Sequence, residues 1–406
     1  MSNTNKTNLT VKVRLYPTRE QANEFKAITN TFKDVCNLVS QWYFDKHFKV
    51  TRYIFQDELY RPLREQYPEL NSQMIQSTFR CVNARYKTVK IQLQQKTYHY
   101  KDVNTNKWYC THKNLEWLQK PIQFKRPQAD YVRTSNYSFV QNQQLISMNV
   151  LGKRIKVKYN INYVNPLINM NAKFGTAKLV NLKGKWYLHI STEIKYQMWD
   201  KDTNEHIVGM DRGLRQMVTS YDEQGKTQFF NGRKIAYQRR KYHYLRQQLQ
   251  KAGTKSAKRH LKKLAQRENR YVSNVNHCLT KTLVDDYGKN TLFVLEDLSN
   301  ITFERKFKTK AQTRDLHSWS FYDFQQKLMY KALLNQSNVI TVSAQYTSQR
   351  CPKCVQITKE ARNHQLHQYY CPHCGFTTND DRIGAMNLYE LGKEYLNGNK
   401  HPRFTK

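Results

Sequence analysis

Two sets of side chains could do chemistry in this chain. Cys351, Cys354, Cys371 and Cys374 form two Cys-x-x-Cys pairs with 16 residues between them. Thiolates at that spacing suit a tetrahedral zinc ion, whose bonds replace a core too small to form by itself. A closed four-cysteine site has no open position, so its role is structural. Gly375 follows the second pair as knuckle geometry favours, whereas Val355 follows the first. The second set is acidic. Asp211 ends the apolar run "HIVGM", Glu296 ends "TLFVL", and Asp381 precedes "RIGAMNL". A single acid at a strand end is ordinarily a cap or a solvated residue. Three acids ordered strand, strand, helix can hold two magnesium ions about 3.5–4 Å apart, the clamp that cleaves a phosphodiester. Cys36, Cys81, Cys110 and Cys278 stand alone and read as ordinary cysteines.

These residues need elements to position them. Leu9, Val11, Val13 and Leu15 alternate with polar residues, a strand pattern. Pro17 and Thr18 then open a helix with Ala22, Phe25, Ile28, Phe32, Val35, Val39 and Trp42 on one face. Helical, charged sequence continues to about residue 100. From about 120 to 196 short strands take over, with a hairpin turning at Lys183-Gly184, and an antiparallel barrel or sandwich is expected. "HIVGMDRG", "RQMVTSYD" and "TQFFNG" read as strands, followed by long helices from about 233 to 288. "TLFVLEDLS" is a strand, "FYDFQQKLMYKALLN" a helix and "NVITVSA" a strand, which suggests an α/β layer on a mixed sheet.

The 406 residues carry 68 Lys and Arg against 31 acids, a formal net charge of +37. An excess this large sets up a field suited to a polyanion, and nucleic acid is the commonest one. Between Arg233 and Arg270 there are 14 Lys or Arg and one acid, Glu268, the footprint of phosphate contact. No apolar run is long enough to cross a bilayer, and the first residues lack a secretory signal, so a cytosolic protein without a membrane partner is expected. Paired cysteines in a reducing compartment again favour zinc.

"GMDRGL", "LEDLSN", "YTSQRCPKC" and "CGFTTNDDRIGAMNL" resemble the RuvC motifs and inserted zinc ribbon of the TnpB family, the OrfB-type proteins of insertion sequences and relatives of compact type V CRISPR effectors. The opening "VKVRLYPTREQ" is similar to the start of that family. The motifs cover about residues 206–390; before that the likeness is one of layout. The resemblance implies an α+β multidomain fold: a first barrel (wedge) strand at 1–15, a helical recognition domain at 16–118, the barrel at 119–205, an RNase H-like (RuvC) domain at 206–349, a four-cysteine zinc ribbon at 350–376, a last RuvC segment at 377–395 and a basic tail at 396–406. It implies a transposon-encoded, RNA-guided DNA endonuclease that cuts next to a short flanking motif. Guide RNA and target DNA are the partners, and one copy of the chain takes one RNA in the bacterial cytoplasm, at the nucleoid when on DNA. Asp211 matches the first catalytic Asp and Glu296 the Glu of the second motif, with Asp297 its usual neighbour. Counting six back from Asn387 gives Asp381 as the third acid, not Asp380. These three would bind two Mg²⁺ ions, and Cys351, Cys354, Cys371 and Cys374 a structural Zn²⁺. Arg212 stands where the family often has an apolar residue. Some relatives lose the acids and act as guided repressors; an unguided RuvC-like nuclease or transposase accessory is the other alternative.

Overall fold

The protein is described from a computed structural model covering residues 4–95, 97–103, 105–140, 143–160, 162, 164, 167, 172–213, 215–264, 267–298, 321–363 and 365–405. Of the stretches quoted above, Leu214, Ser299 and Asn300 lie outside these residues. The chain divides into two compact units, Lys6–Lys195 and Met1–Asn5 with Tyr196–Lys406.

The first unit packs helices on an antiparallel sheet. Strand β1 (Thr4–Tyr16) buries Val13 and Leu15. Helix α1 (Arg19–Asp45) starts at a capping box: Thr18 Oγ1 accepts from Gln21 N, and Thr18 N donates to Gln21 Oε1. Phe25, Ile28, Phe32, Val35 and Val39 line its buried face, as the spacing predicts. Helices α2 (Arg52–Glu58), α3 (Tyr60–Gln66) and α4 (Ser72–Gln94) follow. The helical stretch stops at Gln94 rather than near residue 100. The aromatic, β-branched runs beyond it pair as a separate ribbon of β2 (Thr97–Lys101) and β3 (Trp108–His112).

Strands β4 (Gln128–Tyr131), β5 (Tyr137–Phe139), β6 (Leu145–Val150), β7 (Lys153–Tyr159), β8 (Lys173–Leu182) and β9 (Lys185–Gln197) join β1 in the order β4-β8-β9-β1-β7-β6-β5. The β8–β9 hairpin turns at Lys183 and Gly184, both left-handed. The expected barrel does not close. The order ends at β4 and β5 with no ladder between them among the described residues, and at four and three residues these shortest strands offer little backbone for one.

The second unit is built on a five-stranded mixed sheet: β10 (His206–Asp211), β11 (Gln216–Asp222), β12 (Thr227–Asn231), β13 (Thr291–Glu296) and β14 (Asn338–Val342), ordered β12-β11-β10-β13-β14. The first three pair antiparallel; β10, β13 and β14 run parallel. Alternation divides β13 between two cores. Phe293 and Leu295 share a core with Val208, Met210, and Leu279 and Leu283 of α7 (Arg267–Tyr287), and with Phe324 and Leu328 of α8 (Phe321–Leu334). Leu292 and Val294 face the other way, against Leu388 and Leu391 of α9 (Asp380–Leu396). The basic helices between β12 and α7 are α5 (Arg233–Ala252) and α6 (Lys255–Leu264). The tail folds back: Phe404 is buried in the α9-side core, under the Arg350 guanidinium. Among the described residues no helix is long and apolar enough to cross a membrane.

Candidate active site and metal centre

Strand parity decides where the first two acids point. Ile207, Gly209 and Asp211 alternate on one face of β10, as Leu292, Val294 and Glu296 do on β13. Ile207, Leu292 and Val294 pack on the α9 side. Met210 is in register with Leu295, so Asp211 and Glu296 leave the ends of adjacent parallel strands on that same face. Helix α9 lies close over them because glycines leave room. A Cβ on Gly209 would collide with the Ala385 carbonyl oxygen and the Tyr389 nitrogen.

The third acid comes from the start of α9. Asn379 caps the helix, its Oδ1 accepting from Asp381 N at 2.9 Å and Arg382 N at 3.2 Å. Asp380 and Asp381 both sit in the first turn, but their surroundings differ. Asp380 is buried, 3.4 Å from Arg362 Nε and from His367 Nδ1. Asp381 is partly exposed, 3.4 Å from Arg362 through its other guanidinium nitrogen. Burial first, then Glu296, pushes the Asp211 carboxyl well above the usual carboxylate range; Arg362 pulls it down and Asp381 pushes it up again. Asp211 therefore feels Glu296 and Asp381 as like-charged neighbours.

Sequence reading passed over several supports. Arg362 lies on β15 (Arg362–Asn363), in the middle of the cysteine-rich insert, where nothing in its spacing marks it. Thr347 donates to Glu296 Oε1 at 2.5 Å. Asn387 donates to the carbonyls of Thr347 and Arg350, each at 2.8 Å, and so ties α9 to that loop. Both belong to motifs already quoted, so the signal was present without its geometry. Arg212 also gains a role. Its buried guanidinium donates to the Glu296 carbonyl, to the Phe321 carbonyl at 3.3 Å and to Gln325 Oε1 at 3.4 Å, and lies over the Phe321 ring. Burial draws it down to about 10, while the Glu296 and Asp211 charges oppose that shift. An apolar residue there could not tie the end of β13 to α8.

The cysteines fit zinc. All four Sγ atoms lie within 4.8 Å of one another, with Cys351–Cys374 at 3.6 Å and Cys354–Cys371 at 3.5 Å. Zn–S bonds of about 2.3 Å in a tetrahedron put sulfurs roughly 3.8 Å apart. Both knuckles turn alike: Val355 N donates to Cys351 O and Gly375 N to Cys371 O, each at 3.0 Å, and Val355 takes the left-handed conformation that Gly375 takes. Strands β15, β16 (Gln368–Tyr370) and β17 (Thr377–Asn379) form the ribbon's sheet around buried Tyr369. Among the described residues these four thiols are the one set of three or more ligand-type groups drawn so tightly together. The acids approach without forming such a set, and Arg362 stands among them as a counter-charge.

The stretch 321–388 matches the family described as Cas12f1-like, TNB domain, and 189–300 the family OrfB_IS605, described as Probable transposase. The chain is 30% identical over 221 residues to a CRISPR-associated endodeoxyribonuclease Cas12f1 of Sulfoacidibacillus thermotolerans, covering 51% of this chain and 50% of that protein. It is 28% identical over 227 residues to the Putative RNA-guided DNA endonuclease InsQ of Escherichia coli (strain K12), covering 52% and 55%. The match thus spans about half the length of these curated relatives. Among solved structures, a mini-RNA-guided endonuclease, CRISPR-Cas phi3, shares the fold at a TM-score of 0.50 and 9% identity, over 95% of this chain and 92% of that one. The chain thus carries an OrfB_IS605 match over residues 189–300 and a Cas12f1-like TNB match over 321–388, and it is similar to TnpB-like, InsQ and Cas12f1 proteins.

Proposed function

We propose that the chain is an RNA-guided DNA endonuclease of the transposon-encoded type, with Asp211, Glu296 and Asp381 as its metal-binding acids. One observation carries this reading: adjacent strands β10 and β13 end in Asp211 and Glu296 on the face that α9 covers, and the helix that bears Asp381 in its first turn sets Gly384 against the Asp211 carboxylate. The order β12-β11-β10-β13-β14, antiparallel then parallel, supports an RNase H-like domain. Bound magnesium would supply Lewis-acid stabilisation of the attacking and leaving oxygens of a phosphodiester. The chain's own residues prepare that site. Thr347 orients the Glu296 carboxylate, Asn379 fixes the start of α9, and Arg362 holds Asp381 while offering a guanidinium to a phosphate oxygen. The names of the relatives and the basic helices α5 to α7 support guide RNA and target DNA as partners. Sequence choice would then fall to base pairing next to a short flanking duplex motif. The test is a plasmid library with a randomised flank, cut with and without cognate RNA in magnesium. Cutting that requires RNA, complementarity and one flank is expected. Equal, sequence-specific cutting without RNA would leave an unguided nuclease.

A further inference from the structure

Among the described residues the β2–β3 ribbon joins none of the larger sheets. It forms a sheet of its own, and all ten strand residues are exposed. Yet its composition is that of a core. Cross-strand register pairs Tyr100 with Tyr109 and Tyr98 with Thr111, so Tyr98, Tyr100 and Tyr109 share one face. Tyr98 and Tyr100 lie near-parallel at 17°, with centroids 6.2 Å apart, and Tyr100 and Tyr109 lie at 29° and 6.0 Å. Trp117 closes the row edge-on to Tyr98 at 5.1 Å. Lys113 Nζ stands 4.8 Å from the Tyr98 centroid and 5.1 Å from that of Trp117. Trp108, 71% exposed, is on the opposite face, across from Lys101. Pairing between rings helps a lone ribbon to hold together, but it does not account for Trp108, which pairs with no ring across the ribbon.

Charge selects the occupant. Residues 85–126 contain ten Lys or Arg and two acids, Asp102 and Glu116. Both acids serve local turns: Asp102 Oδ1 accepts from Thr105 N and Oγ1, and Glu116 Oε2 accepts from Asn114 Nδ2. What remains outward is a set of π faces among cations, which is the chemistry that holds unpaired bases while gripping their phosphates. We propose that the β2–β3 ribbon is a stacking platform for the unpaired bases of a single-stranded nucleic acid, with Lys113 and Lys101 at its phosphates. This site goes beyond the acidic site and does not depend on guided cutting.

The test uses the full chain and short homopolymers carrying one photoreactive base, 4-thiouridine in RNA or 4-thiothymidine in DNA. Cross-links should map to residues 97–117, and the stronger of the two arms identifies the strand. Replacing Tyr98, Tyr100 and Tyr109 together by Ala should weaken oligonucleotide binding by about five- to 150-fold for each base that loses its stack. The slope of log K against log salt should stay unchanged. The corresponding Phe variant should bind like the parent, and Lys113→Ala should lower that slope by about 0.7. Trp108→Ala, on the face away from the ring row, should also weaken binding and guards against a triple variant that unfolds the ribbon. Cross-links confined to other segments, or an alanine triple that binds as the parent does, would overturn the proposal. Neither readout involves DNA cleavage, so a chain that cuts nothing can still pass, and one that cuts can still fail.

Discussion

Gly384 faces the carboxylate of Asp211 so closely that a Cβ there would stand 2.9 Å from Asp211 Cγ and 3.0 Å from its Oδ2. The contact is with the Asp211 side chain, its Cβ included at 3.2 Å, so the protein can fold around an added methyl only by shifting that side chain and turning its carboxylate away. Gly384→Ala is therefore expected to fold and to bind guide and target, while magnesium-dependent cleavage falls by about 100-fold, the cost of displacing a reacting group by roughly 1 Å. Gly209→Ala should behave differently, because its Cβ meets the backbone of α9, which cannot swing aside. A loss of about 3 kcal/mol in denaturant unfolding is expected there. Undiminished cleavage by Gly384→Ala would remove Asp211 from the reacting centre.

Asp380 and Asp381 are adjacent in sequence and differ in surroundings. On the proposed reading, Asp381→Asn should abolish cleavage and leave guided DNA binding intact, as should Asp211→Asn and Glu296→Gln, since each would remove a metal ligand without touching the basic helices. Asp380→Asn should instead lower stability, because it breaks buried contacts to Arg362 and His367. Single-turnover cleavage and melting of the two variants decide the matter. A dead Asp380→Asn beside an active Asp381→Asn would shift the third motif by one residue.

Arg212 ties the end of the strand that carries Glu296 to α8 through three hydrogen bonds, one to the Glu296 carbonyl and two to Phe321 and Gln325. Lys has the charge without the planar fork, so Arg212→Lys should not restore them. Both Arg212→Ala and Arg212→Lys are expected to cost about 2 kcal/mol, a fall in Tm of roughly 4–8 °C for a unit of this size. A lysine variant as stable as the parent would show that charge alone suffices there.

Much of this site could be read from the sequence because strand alternation is a strict rule. "HIVGMD" and "TLFVLE" each end in an acid two residues beyond an apolar or glycine position on the same face, which places both acids under one helix. The four cysteines were legible for a similar reason, since their spacing repeats the geometry of the turn. Arg362 was not, because its role comes from the fold of the ribbon sheet rather than from any local period. The open edge at β4 and β5 was also hidden: closure depends on ladder length at two short strands far apart in sequence. The aromatic ribbon at 97–112 is not marked off in the sequence, because neither glycine nor proline separates it from the helical stretch before it.

The four-cysteine cluster reaches the acidic site through a short chain of contacts. Cys371 and Cys374 lead into β17, which ends at Asn379, the cap of α9; Asp380 N donates to His367 O at 3.2 Å, and β15 delivers Arg362 to Asp381. In so small an insert, metal binding supplies folding energy. Cys351→Ser or Cys374→Ser should therefore lose zinc, melt the ribbon and free both the cap and Arg362. Cleavage should drop with the metal, whereas guide RNA binding, which the proposed function assigns to the basic helices, should persist. Asn379→Ala separates the two effects: it should keep zinc, cost about 1 kcal/mol and still slow cleavage by loosening Asp381. Elemental analysis, RNA retention and cleavage measured on the same preparations provide the check. A purified parent chain without zinc that nevertheless cuts would break the link between the clip and the acids.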